Sequence, residues 1–323
     1  MRRRLTLIVW LVGMLAMFAL VLHQGIASVA QGVVASGWWL LLITLFHLVP
    51  MAADTLAWHH LLPAASRPTM PRLLWIRWIG ESVNSLLPAG QIGGDLLRGR
   101  LAAQRGVPPA EAAGSIVVDL TLSVLTLALS SILGVSLAIK RSEQSLVPLL
   151  VVLVLAVLGC CAVLVLQHRG LFHGMTRLLG RIVNHELWDR IAGGAFALDA
   201  AIVAIYSRPR LIAACVFWQV MAWGLGAGEI WLALASLDHP IGVLDSIMIE
   251  CLIQAVRGAA FPVPGAVGVQ EGSMMLLGLL VGVPADTALA VSLIRRIREL
   301  LLGIPGLGAW QLTEGRRWFG QRA

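Results

Sequence analysis

Apolar runs long enough to cross a bilayer recur along this chain, and they constrain its folding more than any other feature. A crossing helix needs about twenty predominantly apolar residues. Windows of that kind fall at 5–24, 38–58, 109–138, 146–166, 210–235 and 285–312, and they predict about six transmembrane helices. Composition agrees. Of the 323 residues 58% are apolar and 13% charged, where soluble domains run near half and a quarter, and the mean hydropathy is +0.85. The four cysteines, Cys160, Cys161, Cys215 and Cys251, lie in apolar surroundings and two are adjacent. A secreted disulfide framework is therefore excluded. The fold class is all-α and polytopic, a single integral membrane domain over residues 1–323.

Charge fixes an orientation. The net charge of +7 comes almost wholly from arginine, with Lys140 the single lysine. The arginines sit between the apolar runs, as a topology signal does and a nucleic-acid surface does not. Arg2, Arg3 and Arg4 put the N-terminus in the cytoplasm. No small-residue cleavage site follows the first run, so a retained signal anchor is expected rather than a signal peptide. Six spans place the 59–77 loop (Arg67, Arg72, Arg77), the 167–210 stretch and the tail (Arg316, Arg317, Arg322) on that same side. Only Lys140 and Arg141, beside Glu143, fall opposite. A bacterial inner membrane with both termini cytoplasmic fits. Within 168–208, Leu171, Met175, Leu178, Leu179 and Ile182 recur at helical spacing, which reads as a cytoplasmic amphipathic insertion. A solvated basic linker is the alternative.

Two segments are too polar to span simply, 73–105 and 244–283. Each has an apolar helical run, a Pro/Gly tip and a second short run. Neither run alone reaches crossing length, so each segment is expected to be a re-entrant helical hairpin. Non-helical backbone at that depth must be buried in protein or line a wet cavity. A shift of 176 positions lays Pro88 on Pro264 and Gly106-Val107-Pro108 on Gly282-Val283-Pro284 without a gap. Asp95 then falls on Glu271, Glu81 on Arg257 and Asp119 on Arg295. Repeat one would cover 1–140 and repeat two 141–315, inverted relative to each other. Inverted repeats with broken helices are the architecture of secondary transporters.

Ionisable groups inside spans are costly and become candidates for function. Asp119 lies about ten residues into its helix, and Arg295, Arg296, Arg298 and Glu299 lie at similar depth in theirs. Asp119 is expected to face Arg295 or Arg296 across the pseudo-two-fold axis, with Glu81 facing Arg257. These pairs could simply fasten the two halves. Against that, Arg98, Arg100, Arg257, Arg295, Arg296 and Arg298 outnumber the acids near the hairpins, and surplus guanidinium suits a phosphate. The tips, with Pro88, Gly90, Gly93 and Gly94 in one and Pro262, Pro264, Gly265 and Gly268 in the other, would add N–H groups at helix N-termini. The substrate-binding set expected is Asn84, Asp95, Arg98, Asp119, Arg257, Glu271, Arg295 and Arg296.

Other signals are weaker. Gly224-Leu225-Gly226-Ala227-Gly228 has small-residue helix-packing spacing and no preceding strand, so a nucleotide site is not expected there. Asp54 and Glu229 sit near the ends of their spans, where an interfacial place competes with proton coupling. The eight histidines show no metal-ligand spacing, and no metal or cofactor is expected. Trp38, Trp39, Trp58, Trp75 and Trp78 read as interface anchors.

The stretch NSLLPAGQIGGDLLRGRLAAQRGVPPAEAAGSIVVDLTL and the later FPVPGAVGVQEGSMMLLGLLVGVPADTALAVSLIRR resemble the paired signatures of the lysylphosphatidylglycerol synthase transmembrane-region family. The likeness covers nearly the whole chain. It rests on Asn84, Pro88, Gly93, Asp95 and Arg98 in the first motif, and on Pro262, Pro264, Gly265, Gly268 and Glu271 in the second. The later arginine of the pattern falls on Arg295 or Arg296. One departure is that the aspartate-arginine pair of the first repeat here reads Asp119-Leu120. With no aminoacyl-transfer domain in the sequence, the resemblance implies lipid translocation rather than synthesis, as in a standalone flippase-like member, a class that includes a hopanoid-associated subgroup. The partner would be a phospholipid, a lipid-linked phosphate or a hopanoid-type lipid, alongside lipid-biosynthesis enzymes. Two other functions stay open: an integral-membrane enzyme acting on a lipid phosphate through Asp95 or Glu271, and a non-transporting assembly factor.

Overall fold

A computed structural model of the chain describes residue 34 and residues 36–87, 93–139, 185–260, 263 and 266–320, with backbone alone for 185–193 and 313–320. The expected spans at 5–24 and 146–166 lie outside these residues, as do Pro88, Gly90, Pro262, Pro264, Gly265, Cys160 and Cys161. Every described element is helical. The helices are α1 (Trp39–Phe46), α2 (Leu48–Leu61), α3 (Met70–Leu86), α4 (Gly93–Ala103), α5 (Pro109–Ile139), α6 (His185–Tyr206), α7 (Pro209–Ala235), α8 (Val243–Ala259), α9 (Val269–Leu280) and α10 (Ala285–Gly320).

Three helical stretches are long and apolar enough to cross a membrane: Trp39–Leu61, Pro109–Ile139 and Pro209–Ala235. They match the apolar windows read at 38–58, 109–138 and 210–235 within a few residues. The first is α1 and α2 joined through His47, whose backbone stays helical at φ −58° and ψ −24°. Helix α10, with 36 residues, is longer than any of them but carries charge at Arg295, Arg296, Arg298 and Glu299. Its sides differ sharply. Arg295 and Arg298 are buried, while Leu300, Leu301 and Ile304 are exposed. The same inversion runs through the molecule, with Val124, Leu129, Leu133, Phe217, Leu276 and Leu279 outside and Asp95, Asp119, Glu229, Glu250 and Glu271 inside. A water-soluble protein keeps its charges outside. This arrangement suits hydrocarbon.

The repeated Gly-Val-Pro triplet has a physical explanation. Gly106 and Gly282 both take positive φ, 99° and 78°, the left-handed conformation that ends a helix and favours glycine. The next N–H, of Val107 or Val283, reaches back to Ala102 O (3.3 Å) or Gly278 O (2.9 Å). Both valines are buried. Pro108 and Pro284 follow, and their carbonyls accept from Ala112 and Ala288, each at 2.9 Å. Every residue in one set lies 176 positions from its counterpart. The triplet is thus a helix stop, a core contact and a helix start in one unit, used twice.

Helix packing is reciprocal. Both two-helix units close on themselves, α3 on α4 and α8 on α9, and each second helix packs on the long helix that follows it. The long helices then cross over: α5 packs on α8, and α10 packs on α3. Helices α2 and α7, which precede the two units, lie against each other. Small residues set these crossings, as expected where lipid gives no hydrophobic drive between helices. A Cβ on Gly306 of α10 would stand 2.0 Å from Ser82 Oγ of α3, and one on Gly134 of α5 would stand 2.9 Å from Cys251 Cβ of α8. The glycine-rich run of α7 is helical, and Gly228 lies so close to Phe46 that an added Cβ would be 2.7 Å from Phe46 Cζ. Helix α6 packs on α5, with Ile202 buried between them.

Two expectations need correction. Trp58 is not an interface anchor. It is fully buried, donates to Ser115 Oγ at 3.1 Å and lies under the Arg98 guanidinium, 4.6 Å from its ring centroid. Arg77 is not a loop charge either. It lies within α3 and turns inward to Asp54 at 2.9 Å.

Candidate functional site

The inward charges surround a cavity of about 280 Å³ bounded by α2, α3, α4, α7, α8 and α10. Its lining holds six carboxylates (Asp54, Glu81, Asp95, Glu229, Glu250 and Glu299) against five arginines (Arg77, Arg98, Arg257, Arg295 and Arg298) and His47. The surplus of arginine expected from the hairpin segments is therefore absent from the cavity. Asp54, Glu229 and Glu250 belong to the site but were not counted toward it; for Asp54 and Glu229 an interfacial place and proton coupling had both been open.

On one side the charges form a chain through α2, α3, α4 and α5. Arg98 donates to Asp95 Oδ1 and Asp119 Oδ2, both at 2.7 Å. Asp119 also receives Gln219 Nε2 at 3.1 Å and lies 3.6 Å from Arg77, which pairs with Asp54. Asn84 closes the first unit. Its Nδ2 donates to Asp95 Oδ2 at 3.1 Å, and its Oδ1 accepts the Gly94 N–H at 2.7 Å.

On the other side Glu271 does the equivalent work. Its Oε2 accepts the Gly268 N–H at 2.7 Å, and its Oε1 accepts Arg296 Nε at 2.8 Å. Arg296 and Arg257 both reach Glu299, at 3.0 and 3.1 Å. Arg257 also donates to Gln270 Oε1 at 2.7 Å, and Arg295 forks onto Glu250 at 2.9 and 3.3 Å. Buried charges survive in apolar surroundings only when paired in this way.

The expected cross-axis pairs do not form. Asp119 is held by Arg98 rather than Arg295 or Arg296, and Glu81 meets His47 rather than Arg257. In both units the second hairpin helix is instead tied to the long helix behind it, by Arg98–Asp119 and by Arg296–Glu271. A shared register in sequence does not imply contact, and here Asp119 finds Arg98 on the helix before its own. Two of the described tip N–H groups are already taken, that of Gly94 by Asn84 and that of Gly268 by Glu271. Gly93 begins α4. Arg100 is exposed and lies outside the cavity lining.

His47 was missed from the sequence. Its signal was an ionisable residue deep in an apolar window. Nε2 lies 2.6 Å from Glu81 Oε1, and Nδ1 lies 2.5 Å from Glu229 Oε1 and 2.6 Å from Arg298 Nη1. Among the described residues no group of His, Cys, Asp and Glu could hold a metal ion.

A family model described as the lysylphosphatidylglycerol synthase TM region matches residues 5–306. The chain belongs to that family. No curated protein matches it, and no solved structure does. As a member of the lysylphosphatidylglycerol synthase TM-region family it is an integral membrane protein, and the apolar exterior described above accords with that. Of the family motifs, the first falls on the charged cavity: Asn84, Asp95 and Arg98 line it, and Arg98 ties α4 to Asp119 of α5. Glu271 of the second, with Arg296 and Asp119, lies outside the lining, where Glu271 ties α9 to α10.

Proposed function

We propose that this chain carries a polar lipid headgroup between leaflets through the charged cavity, while the lipid tails stay in the bilayer. The observation that carries this reading is a hollow in which six carboxylates face five arginines and His47, inside a shell of helices whose outer faces are apolar. Structural ion pairs alone need no hollow between them. The volume, about 280 Å³, lies at the lower edge of small-molecule sites, enough for a headgroup but not for a whole lipid.

Charge balance narrows the ligand. A headgroup of one sign would leave an uncompensated charge in a low-dielectric site, which is costly. A headgroup bearing both a phosphate and an ammonium would not. The more water-exposed charges suggest how it lies: Glu81 and Asp54, with side chains 38% and 33% exposed, face the ammonium, and Arg257, 21% exposed, faces the phosphate. Asn84, Asp95, Arg98, Asp119, Glu271, Arg295 and Arg296 then act as the frame that holds these three groups.

The transport reading includes two inverted repeats with re-entrant hairpins expected over 73–105 and 244–283, six spans, an inner-membrane location and cytoplasmic termini. The shared 176-residue register of the helix stops and the crossed packing of α5 on α8 and α10 on α3 support the repeats, and the distribution of arginine supports the orientation. Rocking of one unit against the other would open the cavity to each side in turn. An enzymatic reading finds less support. Asp95 and Glu271, the candidate acids, each accept two hydrogen bonds, including one from a guanidinium, so both are engaged in tying helices together.

Purified protein in vesicles, with lipids labelled on the acyl chain and quenched from outside, tests this. Lipids carrying a phosphoethanolamine headgroup should cross fastest, phosphoglycerol lipids more slowly, and neither should change chemically. Movement no faster than in protein-free vesicles, or a new lipid species, would refute it.

A further inference from the structure

The geometry at His47 points to a proton-binding switch, and we propose that a proton taken up there drives the headgroup movement. The inference rests on the transport reading above and names the ion coupled to it.

Two of the contacts at Nδ1 exclude each other. Arg298 Nη1, at 2.6 Å, always donates, so that contact requires a bare lone pair on Nδ1. Glu229 Oε1, at 2.5 Å, accepts when ionised, so that contact requires a hydrogen on Nδ1. One ring nitrogen cannot serve both. With a neutral ring, Nε2–H donates to Glu81 and Nδ1 accepts from Arg298. With a protonated ring, Nδ1–H donates to Glu229 and Nε2–H to Glu81, and the like charge of the imidazolium expels Arg298. An alternative place is at hand. Arg298 Nη2 already lies 3.4 Å from Glu229 Oε2, and that oxygen and Arg298 Nε both lack a hydrogen-bond partner. One proton thus decides whether Arg298 holds His47 or Glu229.

These groups sit on the moving parts. His47 joins α1 to α2, and the helices packed around that joint supply the charges that face it: Glu81 from α3, Glu229 from α7 and Arg298 from α10. Asp119 on α5 is turned to Arg98 and Arg77, and Arg295 on α10 to Glu250. A change of partner by Arg298 therefore shifts α10 relative to α2. Glu81 opens on the cavity, which provides the proton's path. The sign follows from formal charge. With a neutral ring the four groups total −1, and with a protonated ring they total zero. The loaded, neutral cluster is the one that leaves no net charge in the closed, low-dielectric cavity while the units rock around it.

Two measurements on the full chain in phosphatidylethanolamine–phosphatidylglycerol vesicles test this. The first is solid-state NMR of ring-labelled histidine and guanidino-labelled arginine, with His47 assigned through His47→Gln. As the pH is lowered from about 10 to about 5, a range that includes and exceeds the ordinary imidazole window, the His47 Nδ1 signal should pass from bare to protonated, and the Arg298 signals should shift at the same midpoint. A single unchanging state, or Arg298 signals that ignore the titration, overturns the proposal even if lipid moves. The second is lipid movement under a pH gradient, with a trapped pH dye. One proton per headgroup predicts about a tenfold leaflet ratio per pH unit, a dye response in step, and no gradient dependence of whatever movement survives in His47→Gln. Wild-type lipid movement without a dye response refutes coupling and leaves transport standing. If no lipid moves in the wild type, the transport reading fails, and coupling fails with it.

Discussion

Replacing Arg98 with leucine should abolish most folded protein. Its guanidinium is 3% exposed and is the hydrogen-bonded cation for both Asp95 and Asp119. Leucine strands two carboxylates in an apolar interior and removes the cation over Trp58. Breaking a buried pair from one side costs about 3–5 kcal/mol, and here two pairs break against a total stability of about 5–15 kcal/mol. Thermal-shift size-exclusion of detergent-extracted protein should show a collapsed monodisperse peak. Arg98→Leu combined with Asp95→Asn and Asp119→Asn should recover part of it, because the charges then vanish together. If Arg98→Leu alone keeps wild-type yield and melting temperature, the ion pairs do not hold α4 to α5 and this account of the site is wrong.

The second large effect comes from one methyl group. Helices α3 and α4 cross with backbones in contact, so that a Cβ on Gly94 would stand 1.9 Å from Gly80 O and 2.8 Å from Asn84 Cγ. The obstacle is a main-chain carbonyl, which cannot rotate away. Gly94→Ala must separate the two helices, breaking the Asn84 bonds that close the unit and displacing Arg98 from Asp119. The expected loss is about 3 kcal/mol or more, at the upper end for overpacking. Gly224→Ala is the control, since nothing lies within 4 Å of its added Cβ. The same thermal-shift assay should find Gly94→Ala strongly destabilised and Gly224→Ala unchanged. Equal behaviour of the two would contradict the close crossing.

Helices α5 and α7 were readable because hydrocarbon imposes a simple length-and-apolarity rule on spans. The helix ends at Leu86 and Ala259 were readable from the Pro and Gly residues that follow them in sequence, and the two Gly-Val-Pro triplets prove to be helix stops. Helix α10 was readable by length, although its charges hide it from a hydropathy criterion. Partner choice was not readable. A 176-residue register identifies Asp119 with Arg295 but says nothing of distance, and the packing of α4 on α5 gives Asp119 to Arg98. Counting arginines in the hairpin segments alone implied an anion site. The balancing acids Asp54, Glu229 and Glu250 come from three different helices, and only tertiary packing gathers them. His47 has no neighbouring ionisable residue in sequence. Its importance arises from Glu81, Glu229 and Arg298 converging on it from three other helices.

The central claim is that the charged hollow opens to both sides of the membrane. Ser85 lines it and makes a single weak hydrogen bond, 3.3 Å to Ser82 O, so Ser85→Cys in a background with the four native cysteines replaced is a mild probe. A membrane-impermeant thiol reagent should label that position from either face of oriented vesicles, and phosphoethanolamine lipid should slow both reactions. Labelling confined to one face under every lipid and pH condition would contradict the account.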